Sequence, residues 1–374
     1  MSPTNNAAWS PAKLAKELQV KPAPYTPPGA DQIIVKNHAV AINPVDYILQ
    51  DMGDMIFTWL KYPFIFGVDL SGEVVEVGSN VSSRFKIGDR VMAVACGADP
   101  DRNNPTESAF QNYTVVPADL AVKIPATLSY EHAAVVPLGM ATAATGLFLK
   151  DFLALDLPTA PARPSSGKTL IIWGGSTSVG CNAIQLAVAA GYEVFTTASP
   201  RNFDLLKKLG ASQVFDYNDK NVVQNMISAL KEKTLAGAMA IGPGSVSLCM
   251  GILSKTKGSK FVTDVGGPGS GSVDTKSTGL GRIPLMAYFI SFTVSTKVKG
   301  MWTGVTSKFV YGSDLKKNEV GPAIFRDFLP KALETGQYIC APDPEVIGHG
   351  LEQIQLGYGI LSKGVSAKKI VVTL

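Results

Sequence analysis

A glycine-rich turn between a predicted strand and a predicted helix constrains the fold of this chain most strongly. The turn reads Gly174-Gly-Ser-Thr-Ser-Val-Gly180, and it joins the apolar segment Leu170–Trp173 to a helix predicted over Ser178–Ala190. Backbone N–H groups at such a turn, with the positive end of the helix dipole, bind the pyrophosphate of a dinucleotide. In the pattern G-x-G-x-x-G begun at Gly175, Thr177 replaces the middle glycine. The predicted contacts with the nucleotide at this turn are Gly175, Ser176, Thr177, Ser178 and Val179.

Short strands and helices alternate after the turn. Strands are predicted at Glu193–Thr197, Gln213–Phe215, Met239–Ile241 and Lys260–Thr263, with helix-forming segments such as Asn202–Leu209 between them. Regular alternation with short connections is typical of an open parallel sheet that carries helices on both faces. The sequence therefore predicts an α/β fold, with a Rossmann-type parallel sheet over residues 136–324.

The first third of the chain reads as strands separated by tight turns. Ile33–Ile42, Gly72–Gly78 and Arg90–Ala95 have the β-rich composition and the glycine or aspartate boundaries of strands. Another strand, Ile370–Leu374, closes the chain. We expect residues 1–135 and 325–374 to form one mostly β domain that is interrupted by the Rossmann-type domain.

Composition excludes several classes of protein. The net charge is +4 and no basic block exceeds a doublet, which disfavours a nucleic-acid binder. The 24-residue uncharged run Thr169–Tyr192 contains several glycines and hydroxyl residues, so a buried strand, turn and helix fit it better than a membrane span. The four cysteines are widely separated, and the start of the chain has no basic and apolar leader pattern. We expect a cytoplasmic protein without disulfides.

The residues after the second predicted strand of this sheet indicate which dinucleotide binds. An NAD enzyme usually has an acidic residue there for the ribose 2′-hydroxyl, whereas this chain reads Thr196-Thr-Ala-Ser-Pro-Arg-Asn202. Ser199 and Arg201 can bind a 2′-phosphate, and Tyr217 after the next strand can close the same pocket. Ser199 and Pro200 can also cap the next helix while Arg201 is solvated. The pattern favours NADPH over NADH.

Several ordered motifs resemble the medium-chain dehydrogenase/reductase superfamily. They are Ala41-Ile-Asn-Pro-Val-Asp46, Gly67-Val-Asp-Leu-Ser-Gly-Glu-Val-Val-Glu-Val-Gly78, Lys86-Ile-Gly-Asp-Arg-Val91 and Leu209-Gly-Ala211. The resemblance implies a GroES-like β domain that carries the inserted Rossmann-type domain. Within the superfamily, Gly174–Thr177, Ser199–Asp204 and Phe215–Tyr217 are similar to fungal zinc-independent reductases, among them trans-acting enoyl reductases and quinone-oxidoreductase-like proteins.

The resemblance also implies a reaction without metal. Metal-dependent members have Cys at the position of Asn43 and His at the position of Val68, and neither residue here is a zinc ligand of that kind. We therefore predict no metal. Hydride delivery to an activated C=C bond or to a quinone needs no strong Lewis acid, because the acceptor carbon is already electrophilic.

Candidate catalytic residues follow from the same resemblance. Thr142 aligns with a threonine that contacts nicotinamide or substrate, although its hydroxyl can instead bond back to a helix carbonyl. Asp46 is a catalytic candidate or a structural turn acid. Where the enoyl and quinone reductases have Lys or Tyr, this chain has Ile48, which cannot donate a proton, and the neighbouring Tyr47 can substitute. The other cofactor contacts implied by the resemblance are Asn43, Val45, Ile48, Asn202, Asp264, Val265, Ser366 and Ala367.

The leading hypothesis is an NADPH-dependent reductase that acts on a small-molecule enone or enoyl thioester in fungal polyketide metabolism. A polyketide synthase is a candidate partner. Alternatives are a quinone oxidoreductase, a nucleotide-binding protein with vestigial activity, and a catalyst of a non-reductive rearrangement. A monomer and a homodimer are both compatible with the sequence, and neither nucleic acid nor membrane is an expected partner. The apolar segment Ile283–Thr296 is expected to be core or interface, or else a wall for an acyl chain.

Overall fold

The computed structural model describes residues 3–267 and 279–374, except for the side chains of Leu280 and Ser313. The chain divides into two compact units. Unit 1 comprises Met1–Leu138 and Gly321–Leu374, and unit 2 comprises Gly139–Val320. No helix of the described ranges is long and apolar enough to cross a membrane.

Unit 1 is built mostly on antiparallel strands, and the pair β16 and β17 is parallel. The main sheet has the order β16-β17-β3-β5-β6-β8, and β7 also pairs with β3. A small second sheet has the order β2-β1-β4. The strands are Asn5–Ser10 (β1), Gln19–Ala23 (β2), Gln32–Ala41 (β3), Phe64–Ile65 (β4), Asp69–Val77 (β5), Arg90–Val94 (β6), Tyr113–Pro117 (β7), Ala121–Lys123 (β8), Asp343–His349 (β16) and Lys368–Thr373 (β17).

Pairing of β17 with β3 brings the end of the chain into the N-terminal sheet. Val371 lies opposite Ala41 in an antiparallel register, and β3 also pairs with β5 on its other side. The middle strands are buried because β-branched residues such as Ile33, Val35 and Val372 fill the interior. The C-terminal strand is therefore a core strand of unit 1.

Helices of unit 1 flank these strands. They are Pro44–Met52 (α1), Tyr130–Ala134 (α2), Leu329–Glu334 (α10) and Ile354–Leu361 (α11), and α10 continues a π-helical segment, Ala323–Phe328. Helix α1 begins at Pro44, whose fixed φ suits the first helical position. The Asp46 carboxylate accepts the Asn43 backbone N–H at 2.7 Å and closes the first turn.

Unit 2 contains a parallel sheet with helices between its strands. The strands are Lys168–Trp173 (β9), Glu193–Ala198 (β10), Gln213–Asp216 (β11), Thr234–Ala240 (β12), Lys257–Gly258 (β13), Phe261–Asp264 (β14) and Thr306–Phe309 (β15). The helices are Pro137–Phe148 (α3, whose first two residues lie in unit 1), Ser178–Ala189 (α4), Phe203–Lys208 (α5), Val222–Ala229 (α6), Ser245–Ser254 (α7), Ile283–Thr303 (α8) and Val320–Pro322 (α9, whose last two residues lie in unit 1).

The strand order of this sheet is β11-β10-β9-β12-β14-β15, with β13 beside β12. From the central strand β9 the chain runs outward to β11, and then crosses to β12 on the other side of β9. Dinucleotides bind at the carboxyl ends of the strands where the order reverses in this way. The predicted fold class is confirmed, although β13 and β15 were not predicted and β12 begins earlier than expected.

For the segment Ile283–Thr296 the core alternative is wrong, whereas an interface and a wall for an acyl chain stay predictions. It belongs to α8, where Leu285 is the buried residue, and Ile283, Ile290 and Trp302 are exposed by 59, 63 and 88%. Its apolar residues recur every three or four positions and so follow a helix. An apolar-rich segment predicts burial, but no described residue of the chain covers the face of α8 that carries Ile283 and Ile290.

Candidate nucleotide-binding site and buried polar cluster

The glycine turn of unit 2 is fixed to the neighbouring strand by hydrogen bonds. Gly174, with φ of +85°, donates its N–H to the Thr197 hydroxyl at 3.0 Å. Gly175 donates its N–H to the Thr197 carbonyl at 2.9 Å. The turn therefore leaves β9 at a defined position beside β10, at the carboxyl edge of the sheet.

Two of the glycines are required by close contacts. A Cβ on Gly175 would lie 2.1 Å from the Thr196 hydroxyl oxygen. A Cβ on Gly180 would lie 2.4 Å from the Gly174 carbonyl oxygen, so helix α4 can approach the turn only with glycine there. This is the close helix–strand packing that the last glycine of a dinucleotide-binding turn permits.

Thr177 begins helix α4 as its N-cap. Its hydroxyl accepts the Gly180 N–H at 3.0 Å and donates to the Gly174 carbonyl at 2.8 Å. Both bonds hold the side chain against the turn itself. Ser176, Ser178 and Val179 lie in the same turn and in the first residues of α4, so the five predicted pyrophosphate contacts are brought together.

Three predicted phosphate contacts follow neighbouring strands. Ala198 of β10 is paired with Asp216 of β11, so Ser199 and Tyr217 come directly after paired positions. Arg201 lies in a short 3-10 turn, is exposed, and makes no hydrogen bond or ion pair with any described residue. A guanidinium in such a place can bind an anion without first breaking a bond within the protein.

Other predicted cofactor contacts of unit 2 have roles in the protein itself. Asn202 is buried at the end of the 3-10 turn. At the end of β14, the Asp264 carboxylate accepts the Gly267 N–H at 3.0 Å, and its burial raises its pKa although backbone N–H groups act in the opposite direction. Val265 donates its N–H to the Ala240 carbonyl at 2.9 Å. Their contact with a cofactor stays a prediction.

Thr142 lies on helix α3 and is 9% exposed. No hydrogen bond joins its hydroxyl to a described residue. Thr145, three residues later in the same helix, donates its hydroxyl to the Ala141 carbonyl at 2.8 Å. The sequence left open whether the Thr142 hydroxyl bonds back to a carbonyl of its own helix. In the structure the Thr145 hydroxyl makes such a bond. The Thr142 hydroxyl makes none with a described residue and is free to donate to a ligand.

Unit 1 contains a buried polar cluster that sequence reasoning missed. The Lys369 ammonium lies 2.9 Å from the Asp69 carboxylate and donates to the Asn43 side-chain carbonyl. The Asn43 amide in turn donates to the same Asp69 oxygen at 2.9 Å. All three side chains are buried. The sequence gives one signal for a buried lysine. Lys368 and Lys369 are consecutive residues of a strand, and side chains of a strand point alternately to its two faces, so one of the two lysines points inward.

Asp46 lies next to this cluster. Its side chain is fully buried, and loss of hydration raises its pKa to about 7, an effect that the Asn43 backbone N–H partly opposes. One carboxylate oxygen has no hydrogen-bond partner. The group is therefore built into the first turn of α1 as a structural acid, and its catalytic role stays a prediction.

The remaining predicted residues of unit 1 are more accessible. Val45, Tyr47 and Ile48 are half-buried on α1, and burial together with nearby Asp51 raises the pKa of Tyr47. Ser366 is exposed, and Ala367 has a φ of +49° just before β17.

The metal-ligand positions carry no suitable donor set. The Asn43 amide is engaged at both ends by Lys369 and Asp69, and Val68 has no donor atom. In the parts of the chain that the structure describes, no group of three or more His, Cys, Asp or Glu could hold a metal ion. Zinc sites in proteins need about three such ligands besides water.

Comparisons with known proteins agree with this architecture. Residues 29–126 match the alcohol dehydrogenase GroES-like domain. Over 372 residues the chain is 53% identical to "Dehydrogenase pigH" of Monascus ruber, with 100% of both chains covered. It is 38% identical over 375 residues to "Trans-enoyl reductase himH" of Aspergillus japonicus, covering 99% of this chain and 97% of the relative. The structure of Escherichia coli quinone oxidoreductase complexed with NADPH matches with a TM-score of 0.66 at 19% identity, covering 100% of both chains.

A dinucleotide-type parallel sheet, a GroES-like β unit and full-length relatives among dehydrogenases and reductases define an oxidoreductase that uses a nicotinamide cofactor. The chain belongs to the medium-chain dehydrogenase/reductase family. The predicted family and the predicted enzyme class are confirmed.

Proposed function

We propose that this protein reduces an activated C=C bond, in an enoyl thioester or an enone, with NADPH. The observation that carries the proposal is the Thr142 hydroxyl, which no described residue uses. A hydroxyl donor can stabilise charge that develops on the carbonyl oxygen of an already electrophilic acceptor. The relative named "Trans-enoyl reductase himH", identical at 38% of positions, supports this substrate class.

The residues of unit 2 fit NADPH. The glycine turn offers backbone N–H groups at the start of α4, and glycine at positions 175 and 180 lets the turn pack closely against β10 and α4. Arg201 and Ser199 would bind the 2′-phosphate, because no acidic residue follows β10 to bind a free 2′-hydroxyl. When bound, the nicotinamide supplies a hydride equivalent.

Residues of this chain would do three things in the reaction. Thr142 would donate its hydroxyl hydrogen bond to the acceptor carbonyl and so favour the enolate-like transition state. The apolar residues around α1, including Ile48, would exclude water. The α-carbon would then receive its proton from Tyr47 or from water, since Ile48 has no proton to give.

The substrate source and the compartment are further parts of the proposal. On the resemblance to trans-acting enoyl reductases, we propose that a polyketide synthase supplies the enoyl thioester. We also propose a cytoplasmic location, which fits four free cysteines that are all buried.

Quinone reduction is the second candidate. Ile48 is compatible with it, because a reduced quinone oxygen can take its proton from water, but the resemblance gives Lys or Tyr at this position to quinone and enoyl reductases alike, so Ile48 does not separate the two candidates. The likeness to quinone oxidoreductase structures supports the fold alone at the identities observed.

Two measurements test the proposal. Fluorescence titration with NADPH and NADH gives cofactor affinity, and absorbance at 340 nm follows turnover on crotonyl N-acetylcysteamine thioester, 3-buten-2-one and 1,4-benzoquinone. We expect tight NADPH binding and oxidation with the thioester or the enone. Turnover with the quinone alone would favour the second candidate, and tight binding without turnover on any acceptor would overturn both and favour a nucleotide-binding role.

A further inference from the structure

Two consecutive lysines of β17 have opposite environments. Lys368 is 44% exposed and pairs with Asp343 at 3.3 Å, whereas the Lys369 side chain is 5% exposed. A buried ammonium is tolerated only where it is paired and hydrogen-bonded. The surroundings of Lys369 therefore indicate what the buried charge holds together.

Lys369 closes a ring of three side chains from distant parts of the sequence. Its ammonium contacts both the Asp69 carboxylate and the Asn43 carbonyl oxygen, and the Asn43 amide N–H returns to Asp69. Because an ammonium only donates and a carboxylate only accepts, the ring fixes which end of the Asn43 amide faces which partner. A rotated amide would place N–H groups against the ammonium.

The ring extends to the first turns of two helices. The second Asp69 oxygen accepts the backbone N–H of Leu138, the second residue of α3, at 2.6 Å. Asn43 is the N-cap of α1, and its own backbone N–H is bonded to Asp46 at 2.7 Å. Helix α1 carries Tyr47 and Ile48, and α3 carries Thr142 one turn after Leu138.

We propose that Lys369 is a positioning residue for the reduction: through Asp69 and Asn43, its ammonium holds the first turns of α1 and α3, the helices that carry the predicted catalytic side chains. The inference rests on the proposed function. It makes Lys369 act through other residues, without contact to the substrate.

A buried ion pair with a purely structural role would stabilise the fold and leave turnover alone, so the variants must separate these effects. Lys369→Met leaves the Asp69 carboxylate buried without its cation, which can prevent folding. The double variant Lys369→Met/Asp69→Asn removes both charges together, a change that proteins often tolerate. Lys369→Arg keeps the charge, and Lys368→Met is the matched control on the outward face of the same strand.

Hydrogen exchange and steady-state kinetics test the inference. In the double variant we expect amide exchange in peptides 43–48 and 137–142 to rise about tenfold or more, with peptide 178–189 unchanged. We expect kcat on the crotonyl thioester to fall roughly ten- to a hundred-fold, as for a displaced reacting group, while the Kd of NADPH stays within about threefold. Lys369→Arg should retain more turnover than the double variant, and Lys368→Met should match the wild type.

Two results would overturn the inference. Unchanged exchange in peptides 43–48 and 137–142 would show that Lys369 does not hold these turns. Wild-type kcat in the double variant, with or without faster exchange, would reduce Lys369 to an ordinary buried ion pair. A wild-type protein that does not reduce the thioester would instead refute the proposed function, and the exchange result would still decide whether Lys369 holds the two helices.

Discussion

The discrimination between NADPH and NADH is expected to depend on Arg201. Its side chain is exposed, belongs to the 3-10 turn Pro200–Asn202 that follows β10, and makes no bond with a described residue. Arg201→Ala therefore removes no interaction within the protein, and substitutions of this kind change stability by only about 0.5 kcal/mol or less. An effect on cofactor affinity can then be assigned to the lost contact with the ligand.

The magnitude follows from the charge-assisted bond to the 2′-phosphate. Such bonds contribute about 1.5–3 kcal/mol, and each 1.4 kcal/mol is a factor of about ten in Kd. Because Arg201 is exposed and screened by salt, the lower part of this range applies, and we expect NADPH to bind about 10–30-fold more weakly. NADH lacks the phosphate, so its affinity should change by less than about threefold.

Fluorescence titration of both cofactors at two salt concentrations measures this difference. Lys208→Ala removes one exposed positive charge from the same unit, at the end of α5, and is the matched control. It should leave the NADPH to NADH preference unchanged. An equal loss for both cofactors in Arg201→Ala would refute the assignment, because a contact with adenine alone would affect them alike.

Three further substitutions test the catalytic and structural assignments. Thr142→Val should lower kcat about ten- to a hundred-fold through loss of one hydrogen bond to developing charge, with little change in the Kd of NADPH. The control Thr145→Val removes a hydroxyl that is bonded within α3 and should keep wild-type kcat. Asp46 has a folded pKa of about 7 against an ordinary value of 3.8, so native protein binds more protons than unfolded protein between these values and its stability falls as pH rises. From pH 5 to pH 7, the free energy of unfolding measured with urea should fall by about 2–3 kcal/mol more in the wild type than in Asp46→Asn. An equal pH dependence of the two proteins would contradict a raised pKa of Asp46. Gly180→Ala should destabilise the fold by about 1–3 kcal/mol and weaken NADPH binding, because the new Cβ meets the Gly174 carbonyl. The control Gly251→Ala in α7, where a Cβ has nothing within 4 Å, should stabilise the fold slightly. Equal effects of the two substitutions on stability would refute the close contact at Gly180.

The fold was predictable where local signals agreed with each other. The strongest signal consists of adjacent segments: an apolar strand, the glycine turn and a helix. The strand-forming and helix-forming segments that alternate after them predict a parallel sheet. Thr142 and the phosphate contacts are predicted from short motifs and the family resemblance, and their roles stay predictions. The structure adds that the Thr142 hydroxyl and the Arg201 guanidinium have no partner among the described residues.

The buried cluster could not be predicted because its members are far apart. Lys369 and Asn43 are separated by 326 positions, and only the pairing of β17 with β3 brings them together. Helix α8 was missed for another reason. Its apolar composition predicts burial, but composition alone does not show which face of a helix other described residues cover.

Transfer of a label from the cofactor shows whether this protein reduces the C=C bond of an enoyl thioester with NADPH. Crotonyl N-acetylcysteamine thioester is incubated with NADPH deuterated at C4 of the nicotinamide, in separate reactions for the two C4 epimers, and the product is analysed by mass spectrometry and NMR. We expect one NADPH to be oxidised for each butyryl thioester formed, with deuterium at the β-carbon from one epimer only. A product without the label, or NADPH oxidation without a reduced thioester, would contradict this expectation.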